Sequence, residues 1–243
     1  MSRKRADVVL VERGLFDSRA KARAAIEAGG VIAGGRTLAK PSDLIEEDAE
    51  LEAVAAHPYV GRGALKLIHA LGLWPVAVQE RTVLDVGAST GGFTEVCLER
   101  GAARVYAVDV GRGQLHPKLV GDPRVISLEG LDARNLSPAH ISTPPGLIVT
   151  DVSFIGLAKA LPAALALASG GADLVALVKP QFEVGPEHVG KGGLVKDEAA
   201  RRRALDEVIA FLRGARWVVR DTTDSPISGG DGNLEYLLWA QRP

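Results

Sequence analysis

Four charged side chains, two lysines and two acids, lie where a predicted sheet would bring them to one edge. Asp151 and Lys179 each follow directly after an apolar run that predicts a buried parallel strand. Glu235 lies near the start of a closing strand that would run antiparallel, and Lys66 lies on the helix before the first strand. The carboxyl ends of parallel strands share one edge of a sheet, so we expect the four side chains to share a pocket there. Such a set could pair internally and with a bound hydroxyl group.

Taken alone, Lys179 indicates a functional site more strongly than Lys66 does. Lys66, on a helix with the predicted apolar face Leu65, Ile68 and Leu71, would ordinarily be a solvated lysine. Lys179 at the end of a central apolar strand is unusual, because its charge must be desolvated or paired.

Residues 82–96 predict the first strand, turn and helix of a nucleotide-binding α/β sheet. The apolar run ends at Asp85, and the turn that follows carries Gly87, Gly91 and Gly92, which departs from the G-x-G-x-x-G pattern of dinucleotide sites. A dinucleotide places its pyrophosphate at the helix N-terminus, where an acid would be unfavourable. An acid there suits a cationic amino group, such as the one that S-adenosylmethionine carries. The turn by itself leaves the two cofactors about equally supported.

Two further acids follow predicted strands of the same sheet. Asp109 ends the run 104–109 and could bind a ribose diol, although NAD sites also place an acid there. Asp132 follows the run 125–128 and could bind an adenine amino group, although an ordinary turn aspartate is an equally good interpretation. The residues that we expect to contact the cofactor are Asp85, Gly87, Ala88, Ser89, Gly91, Gly92, Phe93, Asp109, Val110 and Asp132.

Methyl transfer to a ribose 2′-hydroxyl would give the four charged residues definite roles. The hydroxyl is too weak an acid to attack unaided, so a general base is needed. Lys179 would take the proton in its neutral form, which desolvation and the neighbouring cation Lys66 favour. Asp151 would orient Lys179 and tolerate the sulfonium, while Lys66 and Glu235 would hold the ribose and balance charge. The reaction is an in-line displacement, so positioning should supply much of the rate acceleration.

The first forty residues are basic, and an acidic stretch follows them. A small basic module beside a near-neutral body is typical of nucleic-acid binding, with an ordinary solvated basic helix as the alternative. The pattern predicts helices at 6–15 and 19–28, a hairpin at 31–38 and a short strand at 51–54. The residues that we expect to bind RNA are Arg3, Arg5, Arg19, Lys21, Arg23, Lys40 and Arg62.

This basic segment resembles the αL RNA-binding domain shared by a ribosomal small-subunit protein, many pseudouridine synthases and tyrosyl-tRNA synthetases. The resemblance is carried by Ser18-Arg19-x-x-Ala22, in which Ser18 is a helix N-cap, by residues 28–32 (AGGVI) and by Lys40-Pro41-Ser42. The turn at 33–35 (AGG) departs from the usual valine-asparagine-glycine. The domain organisation that we expect is an RNA-binding domain at 1–56, a linker at 57–62 and a second domain at 63–243.

Composition bounds the cellular setting. The formal net charge is −1, so overall charge predicts no polyanionic partner, and the single cysteine excludes an internal disulfide and suits a reducing compartment. Acids interrupt the apolar run after the basic start, which argues against a signal peptide, and no apolar stretch reaches the ~20 residues that a membrane helix needs. We therefore expect a cytoplasmic protein that is not bound to a membrane.

Other candidate residues carry weaker signals. We expect Cys97, Ser153 and His188 to have structural or loop roles, and no spacing typical of metal ligands is present. The glycine-rich loop 185–193 is a candidate lid or RNA-contacting loop. The oligomeric state is not indicated.

Six motifs that span most of the chain resemble those of FtsJ/RrmJ-type ribose 2′-O-methyltransferases. They are Arg62-Gly63-Ala64-x-Lys66-Leu67 and residues 85–94 (DVGASTGGFT), 108–115 (VDVGRGQL), 151–155 (DVSFI), 178–183 (VKPQFE) and 232–236 (GNLEY). The set Lys66, Asp151, Lys179 and Glu235 is similar to the Lys-Asp-Lys-Glu tetrad of those enzymes. With the N-terminal domain, the arrangement is similar to the TlyA family, long described as haemolysins.

The resemblance implies a Rossmann-like class I methyltransferase sheet of the α/β class, with a small N-terminal α+β domain. It further implies S-adenosylmethionine-dependent 2′-O-methylation of a cytidine in ribosomal RNA, as the isolated RNA or within a ribosomal subunit. Residues 58–61 (PYVG) depart from the family, which more often has a tryptophan and a serine there, so coupling between the domains is in question. The sequence stops four residues after Trp239, whereas members that modify both subunits tend to carry a longer tail, so we expect the large subunit as substrate.

Three other functions compete with this one. A haemolysin would need a convincing amphipathic membrane segment, which is not apparent. A ribosome-assembly factor that only binds RNA and cofactor would not need a lysine at a strand end. An NAD oxidoreductase is disfavoured by the glycine spacing and by the RNA-binding module.

Overall fold

The computed structural model describes residues 3–229 and 232–243 and divides into two compact units, one ending at Arg62 and the other comprising Gly63–Pro243. Each unit has its own cluster of buried apolar side chains. Among the described residues, no helix combines the length and the hydropathy that crossing a membrane requires.

The N-terminal unit packs two helices against short strands. In chain order its elements are β1 (Arg3–Arg5), α1 (Ala6–Glu12), α2 (Arg19–Glu27), β2 (Val31–Ala33), β3 (Arg36–Thr37), β4 (Leu44–Glu46) and β5 (Leu51–Ala53). The predicted helices, hairpin and strand are present. The first helix is shorter than predicted, because Gly14 turns the chain with a φ of 71° and Leu15 N–H donates back to Leu10 O at 3.0 Å.

The sequence did not predict the antiparallel pair β1–β4. β1 consists of three charged residues and β4 of only three residues, Leu44-Ile45-Glu46, so period-2 patterning gives no signal. Opposite charges across the pair take the place of that pattern: Arg3 contacts Glu46 at 3.1 Å, and Lys4 contacts Glu47 at 3.2 Å.

The second unit is a sheet of mainly parallel strands with helices on both faces. Its elements are α3 (Ala64–Leu73), β6 (Thr82–Val86), α4 (Gly92–Glu99), β7 (Arg104–Asp109), α5 (Pro117–Val120), β8 (Val125–Glu129), β9 (Leu147–Thr150), α6 (Leu157–Ala160), α7 (Pro162–Leu167), β10 (Asp173–Val178), α8 (Pro180–Glu183), α9 (Glu198–Gly214), β11 (Val218–Asp224) and β12 (Tyr236–Gln241).

The strand order is β11-β12-β10-β9-β6-β7-β8, and β12 runs antiparallel to both of its neighbours. The order reverses between β6 and β9, which is where such sheets bind ligands at the carboxyl ends of their strands. The predicted Rossmann-like α/β sheet is confirmed.

Alternation along β6 decides which side chains reach which face of the sheet. Leu84 and Val86 belong to the large core cluster that also contains residues of α6, α7 and α9. Asp85, between them, points to the opposite face and meets Thr94 of α4.

Candidate active site

Lys179 and Asp151 form the first ion pair of the predicted set of four. Lys179 is 9% exposed, and its Nζ lies 2.6 Å from Asp151 Oδ1. The same Nζ donates to Ser153 Oγ at 2.8 Å. The pairing follows from topology, because both residues come directly after the adjacent parallel strands β9 and β10.

Lys66 and Glu235 form the second ion pair, with 2.5 Å between Nζ and Oε2. Lys66 is 6% exposed and Glu235 is 3% exposed, so the solvated-lysine interpretation is wrong. Of the predicted apolar face, Leu71 is buried, whereas Leu65 and Ile68 are only half-buried. The helix also buries Ala64 and Leu67 beside Lys66, and this places the ammonium inside the unit. Removing only one partner of such a buried ion pair strongly destabilises the folded protein, because the other charge stays buried without compensation.

The two pairs lie at the same edge of the sheet. Val178 is paired with Tyr236, so Lys179 and Glu235 each lie one residue beyond this paired end of their strands. Gly63 precedes α3, and a Cβ added to it would lie 3.1 Å from Asp151 Oδ2. The helix that carries Lys66 therefore begins directly against the first ion pair.

A cavity of about 830 Å³ opens at the carboxyl ends of the strands. Five of the ten residues predicted to contact the cofactor line it, and the other five, Asp85, Ala88, Gly91, Gly92 and Phe93, are buried. The five that line it are Gly87, Ser89, Asp109, Val110 and Asp132.

The turn after β6 requires its glycine at position 87. Gly87 has a φ of 86°, and an added Cβ would lie 3.0 Å from Asp151 O and from Val152 Cα. The backbone can therefore approach the loop after β9 only without a side chain at this position. This close approach forms one wall of the cavity.

Asp109 is held in the cavity wall by two backbone donors. Its Oδ2 accepts from Ser89 N–H at 2.8 Å, and its Oδ1 accepts from Gly111 N–H at 2.7 Å. Each carboxylate oxygen keeps a further lone pair, so the group can still accept hydrogen bonds from a diol.

Asp85 is fully buried, and its Oδ2 accepts from Thr94 Oγ1 at 2.6 Å. Its Oδ1 is buried without a hydrogen-bond partner in the described structure. Burial raises the pKa of this carboxyl to about 7, and the nearby charges of Asp151 and Asp109 contribute in the same direction. The carboxylate thus lies behind the cavity wall.

Asp132 combines both interpretations that the sequence left open. It lines the cavity, and its Oδ1 also accepts from Arg134 N–H at 2.9 Å at the start of a short 3-10 turn. The hydrogen bond from the Arg134 side chain lowers the pKa of Asp132.

An aromatic pair at the cavity, in which Phe154 is exposed and Phe182 is half-buried, was not predicted. Phe154 is 91% exposed, has a φ of 67°, and lies 5.2 Å from Phe182 between ring centroids. Both rings line the cavity. The signal in the sequence is a phenylalanine three residues after the strand-end acid Asp151.

The predicted RNA-binding residues of the N-terminal unit are at its surface, and two of them share a buried acid. Asp7 is fully buried; its carboxylate accepts from Arg5 Nε at 2.9 Å and from Arg19 NH2 at 2.7 Å. Hydrogen bonds from Arg5 and then Arg19 lower the pKa of Asp7 to about 2. Of the other predicted residues, Lys21 and Arg62 are half-buried, whereas Arg3, Arg23 and Lys40 are exposed.

The C-terminal end of the loop 185–193, the candidate lid, is hydrogen-bonded to the turn that precedes Glu235. Asn233 is 2% exposed; its Oδ1 accepts from Val195 N–H and its Nδ2 donates to Gly193 O, both at 2.9 Å. The loop contains two short 3-10 turns, Pro186–His188 and Lys191–Gly193. One amide thereby links the loop to the segment that carries Glu235.

Two family profiles match the sequence. The profile described as FtsJ-like methyltransferase matches residues 59–242, and the profile described as S4 domain matches residues 4–51.

Individual proteins match over nearly the whole chain. The "16S/23S rRNA (cytidine-2'-O)-methyltransferase TlyA" of Mycobacterium tuberculosis is 47% identical over 98% of this chain and 89% of its own length. The "23S rRNA (cytidine-2'-O)-methyltransferase TlyA" of Campylobacter jejuni is 34% identical over 82% of this chain and 77% of its own. The solved structure named "Putative hemolysin from Streptococcus thermophilus" is 40% identical with a TM-score of 0.80, and covers 100% of this chain and 89% of that one.

Proposed function

The chain belongs to the FtsJ-like methyltransferase family and to its TlyA-type members with an S4 domain, and we propose that it methylates the ribose 2′-hydroxyl of a cytidine in ribosomal RNA. The observation that carries this proposal is the Lys179–Asp151 ion pair at the strand ends, with the buried Lys66–Glu235 pair at the same edge. A protein that only bound RNA and cofactor would have no use for two desolvated lysines there.

The cavity residues fit S-adenosylmethionine, which supplies the methyl group when bound. Asp109 would accept hydrogen bonds from the ribose diol, and Asp132 would accept one from the adenine amino group. Gly87 lets the turn after β6 approach the loop after β9, and the wall that the two segments form would contact the ligand. Asp85 lies behind the wall, so its negative charge would act on the cationic amino group at a distance.

Catalysis would depend on the two ion pairs. Lys179 would remove the proton of the 2′-hydroxyl, and Asp151 would hold the amine in place and stabilise the ammonium that forms. Lys66 and Glu235 would bind the ribose and fix the charge balance around it. Because every partner is already paired at 2.5–2.6 Å before substrate binds, the site is preorganised for the reaction.

RNA binding would involve both units. In the N-terminal unit, the guanidinium groups of Arg5 and Arg19 are held side by side by Asp7 and suit contact with phosphates. At the cavity, the exposed ring of Phe154 offers a surface on which a base can stack. We place the RNA-binding domain at 1–56, the linker at 57–62 and the methyltransferase domain at 63–243.

We propose large-subunit RNA as a substrate, because both TlyA-named relatives carry 23S in their names. The Mycobacterium tuberculosis relative carries 16S as well, so both subunits are tested.

The experiment measures transfer of labelled methyl from S-adenosylmethionine to isolated small subunits, large subunits and naked ribosomal RNA. The native protein is compared with Lys179→Ala and with the control Lys196→Ala, which removes an exposed lysine of the same unit. We expect label in an alkali-resistant dinucleotide, because a methylated 2′-oxygen blocks hydrolysis of the adjacent phosphodiester. The label should disappear with Lys179→Ala and remain with the control.

Three outcomes would contradict the proposal. Label recovered in mononucleotides after alkaline hydrolysis would mean methylation of a base rather than of the 2′-oxygen. No label on any RNA, with S-adenosylmethionine still bound, would favour an assembly factor. Leakage from liposomes, tested with the same preparation, would favour the membrane-active alternative.

A further inference from the structure

We propose that Ser153 is a positioning residue that fixes the orientation of the Lys179 amine for removal of the substrate proton. This inference rests on the proposed function. The observation behind it is the hydrogen bond from Lys179 Nζ to Ser153 Oγ, which spans 26 residues of sequence and joins two loops at the site.

The geometry of a tetrahedral amine shows what this bond does. Lys179 Nζ is bonded to Cε and directs one of its remaining positions to Ser153 Oγ at 2.8 Å, whereas Asp151 Oδ1 lies 2.6 Å away in an ion-pair contact and accepts no hydrogen bond. In the neutral amine the position directed at Ser153 carries an N–H group, and the lone pair occupies one of the other two. The Ser153 acceptor therefore fixes the rotation of the amine about the Cε–Nζ bond, which the charge contact with Asp151 alone would leave free.

The hydroxyl of Ser153 suits this task because it carries no charge. A second carboxylate would stabilise the protonated lysine before the reaction and so disfavour the neutral amine that must take the proton. An uncharged hydroxyl accepts a hydrogen bond from the amine but stabilises the protonated form less. In the reaction the 2′-O–H bond breaks and its proton joins the Nζ lone pair. The 2′-oxygen forms a bond to the methyl carbon, and the carbon–sulfur bond breaks with its electron pair remaining on sulfur. The resulting ammonium has three N–H groups, one of which Ser153 Oγ already accepts, and the nearby Asp151 carboxylate balances its charge.

The loop that carries Ser153 is held at both of its ends. It begins where β9 ends, and Leu157 N–H at its far end donates to Glu183 Oε1 at 2.9 Å. Glu183 lies on α8, which starts directly after Lys179. The loop and the lysine segment are thus joined at Ser153 and again at Glu183, so the position of the Ser153 hydroxyl relative to Lys179 is fixed by the fold.

The test compares Ser153→Ala, Ser153→Cys and Ser153→Thr in the full-length protein. We expect kcat to fall about 10- to 100-fold in the first two variants, because misdirection of a reacting group by about 1 Å has effects of this size. The cysteine keeps the shape of the side chain but is a weak acceptor. Threonine restores the hydroxyl and should return kcat to within about threefold of the native value. The KM for RNA, the Kd for S-adenosylmethionine and the melting temperature should stay unchanged throughout.

Ser169→Ala is the matched control, because it removes a serine whose Oγ donates to Pro145 O at 3.2 Å elsewhere in the unit. Unchanged kcat in Ser153→Ala, or failure of threonine to restore it, overturns the inference. A loss confined to the KM for RNA also overturns it, since that pattern indicates direct substrate contact. An inactive native protein, by contrast, refutes the proposed function itself.

Discussion

Replacing Asp85 by asparagine should stabilise the protein in the absence of cofactor, by an amount that grows with pH. Asp85 is 0% exposed and holds an unpartnered Oδ1, while its Oδ2 accepts from Thr94. Asparagine has the same shape and keeps the acceptor for Thr94. It removes a charge that burial makes unfavourable, which is why the pKa of this carboxyl rises from 3.8 to about 7.

The sign and size of the effect follow from proton linkage. Because the pKa is raised in the folded state, the folded protein binds more protons than the unfolded one between pH 4 and 7, and its stability falls as pH rises through this range. A shift of about three units corresponds to about 4 kcal/mol above pH 7 and about 2 kcal/mol at pH 5.5. For a unit of this size each kcal/mol changes the melting temperature by about 2–4 °C. The variant should therefore melt about 8–16 °C higher at pH 8, and about half as much higher at pH 5.5.

Differential scanning calorimetry of native protein and Asp85→Asn at pH 5.5, 7 and 8 would measure this difference. Asp206→Asn, which replaces an exposed acid on α9, is the control and should show no such trend. A gain that is equal at every pH, or absent at pH 8, would refute the reasoning that a desolvated charge is the cause. The same variant should bind S-adenosylmethionine about tenfold more weakly, because the negative charge behind the cavity is lost.

Three further outcomes are expected. Gly229→Ala should lower methyl transfer at least about tenfold, because the new methyl group would overlap the Glu235 carboxylate. In the control Gly214→Ala the new methyl group meets open space, so this variant should remain active. Unchanged methyl transfer by Gly229→Ala would contradict the placement of the Glu235 carboxylate. Asp7→Asn should destabilise the N-terminal unit by about 1–2 kcal/mol at pH 7 and weaken RNA binding, measured by urea unfolding and filter binding. Because the pKa of Asp7 is lowered to about 2, this difference should shrink as pH falls from about 4 toward 2, and a constant difference would argue against the ion pair. Cys97 should resist a thiol reagent at pH 8 until the protein is unfolded, because burial raises the pKa of its thiol, and fast labelling of the native protein would contradict this.

Much of the site could be predicted because its signals are local. The apolar runs ending in Asp85, Asp109, Asp151 and Lys179 identify strands and their carboxyl ends directly, since a buried strand is marked by its own residues. The start of the last strand has no such local signal: the strand begins at Tyr236, one residue after Glu235, because its start is set by pairing with β10.

Pattern alone could not find the residues that act through burial or through partners distant in sequence. The sequence predicts only a structural or loop role for Ser153 and no role for Asp7, because a single polar residue in a loop or helix has no periodic signature. Phe154 is exposed where the loop after β9 turns with a positive φ, a conformation that the sequence does not indicate. Each of these depends on how separate segments pack together.

The sequence by itself determined where the apolar strands end along the chain, the glycine turn and the identities of the four charged residues at the predicted edge. Only the tertiary structure decided that Lys179 pairs with Asp151, and that Lys66 pairs with Glu235 across 169 residues of sequence. It also decided that Lys66 is buried and that Asp85 lies behind the cavity wall. The physical reason is that charge pairing and desolvation depend on strand register and on the neighbouring elements, which no stretch of sequence encodes alone.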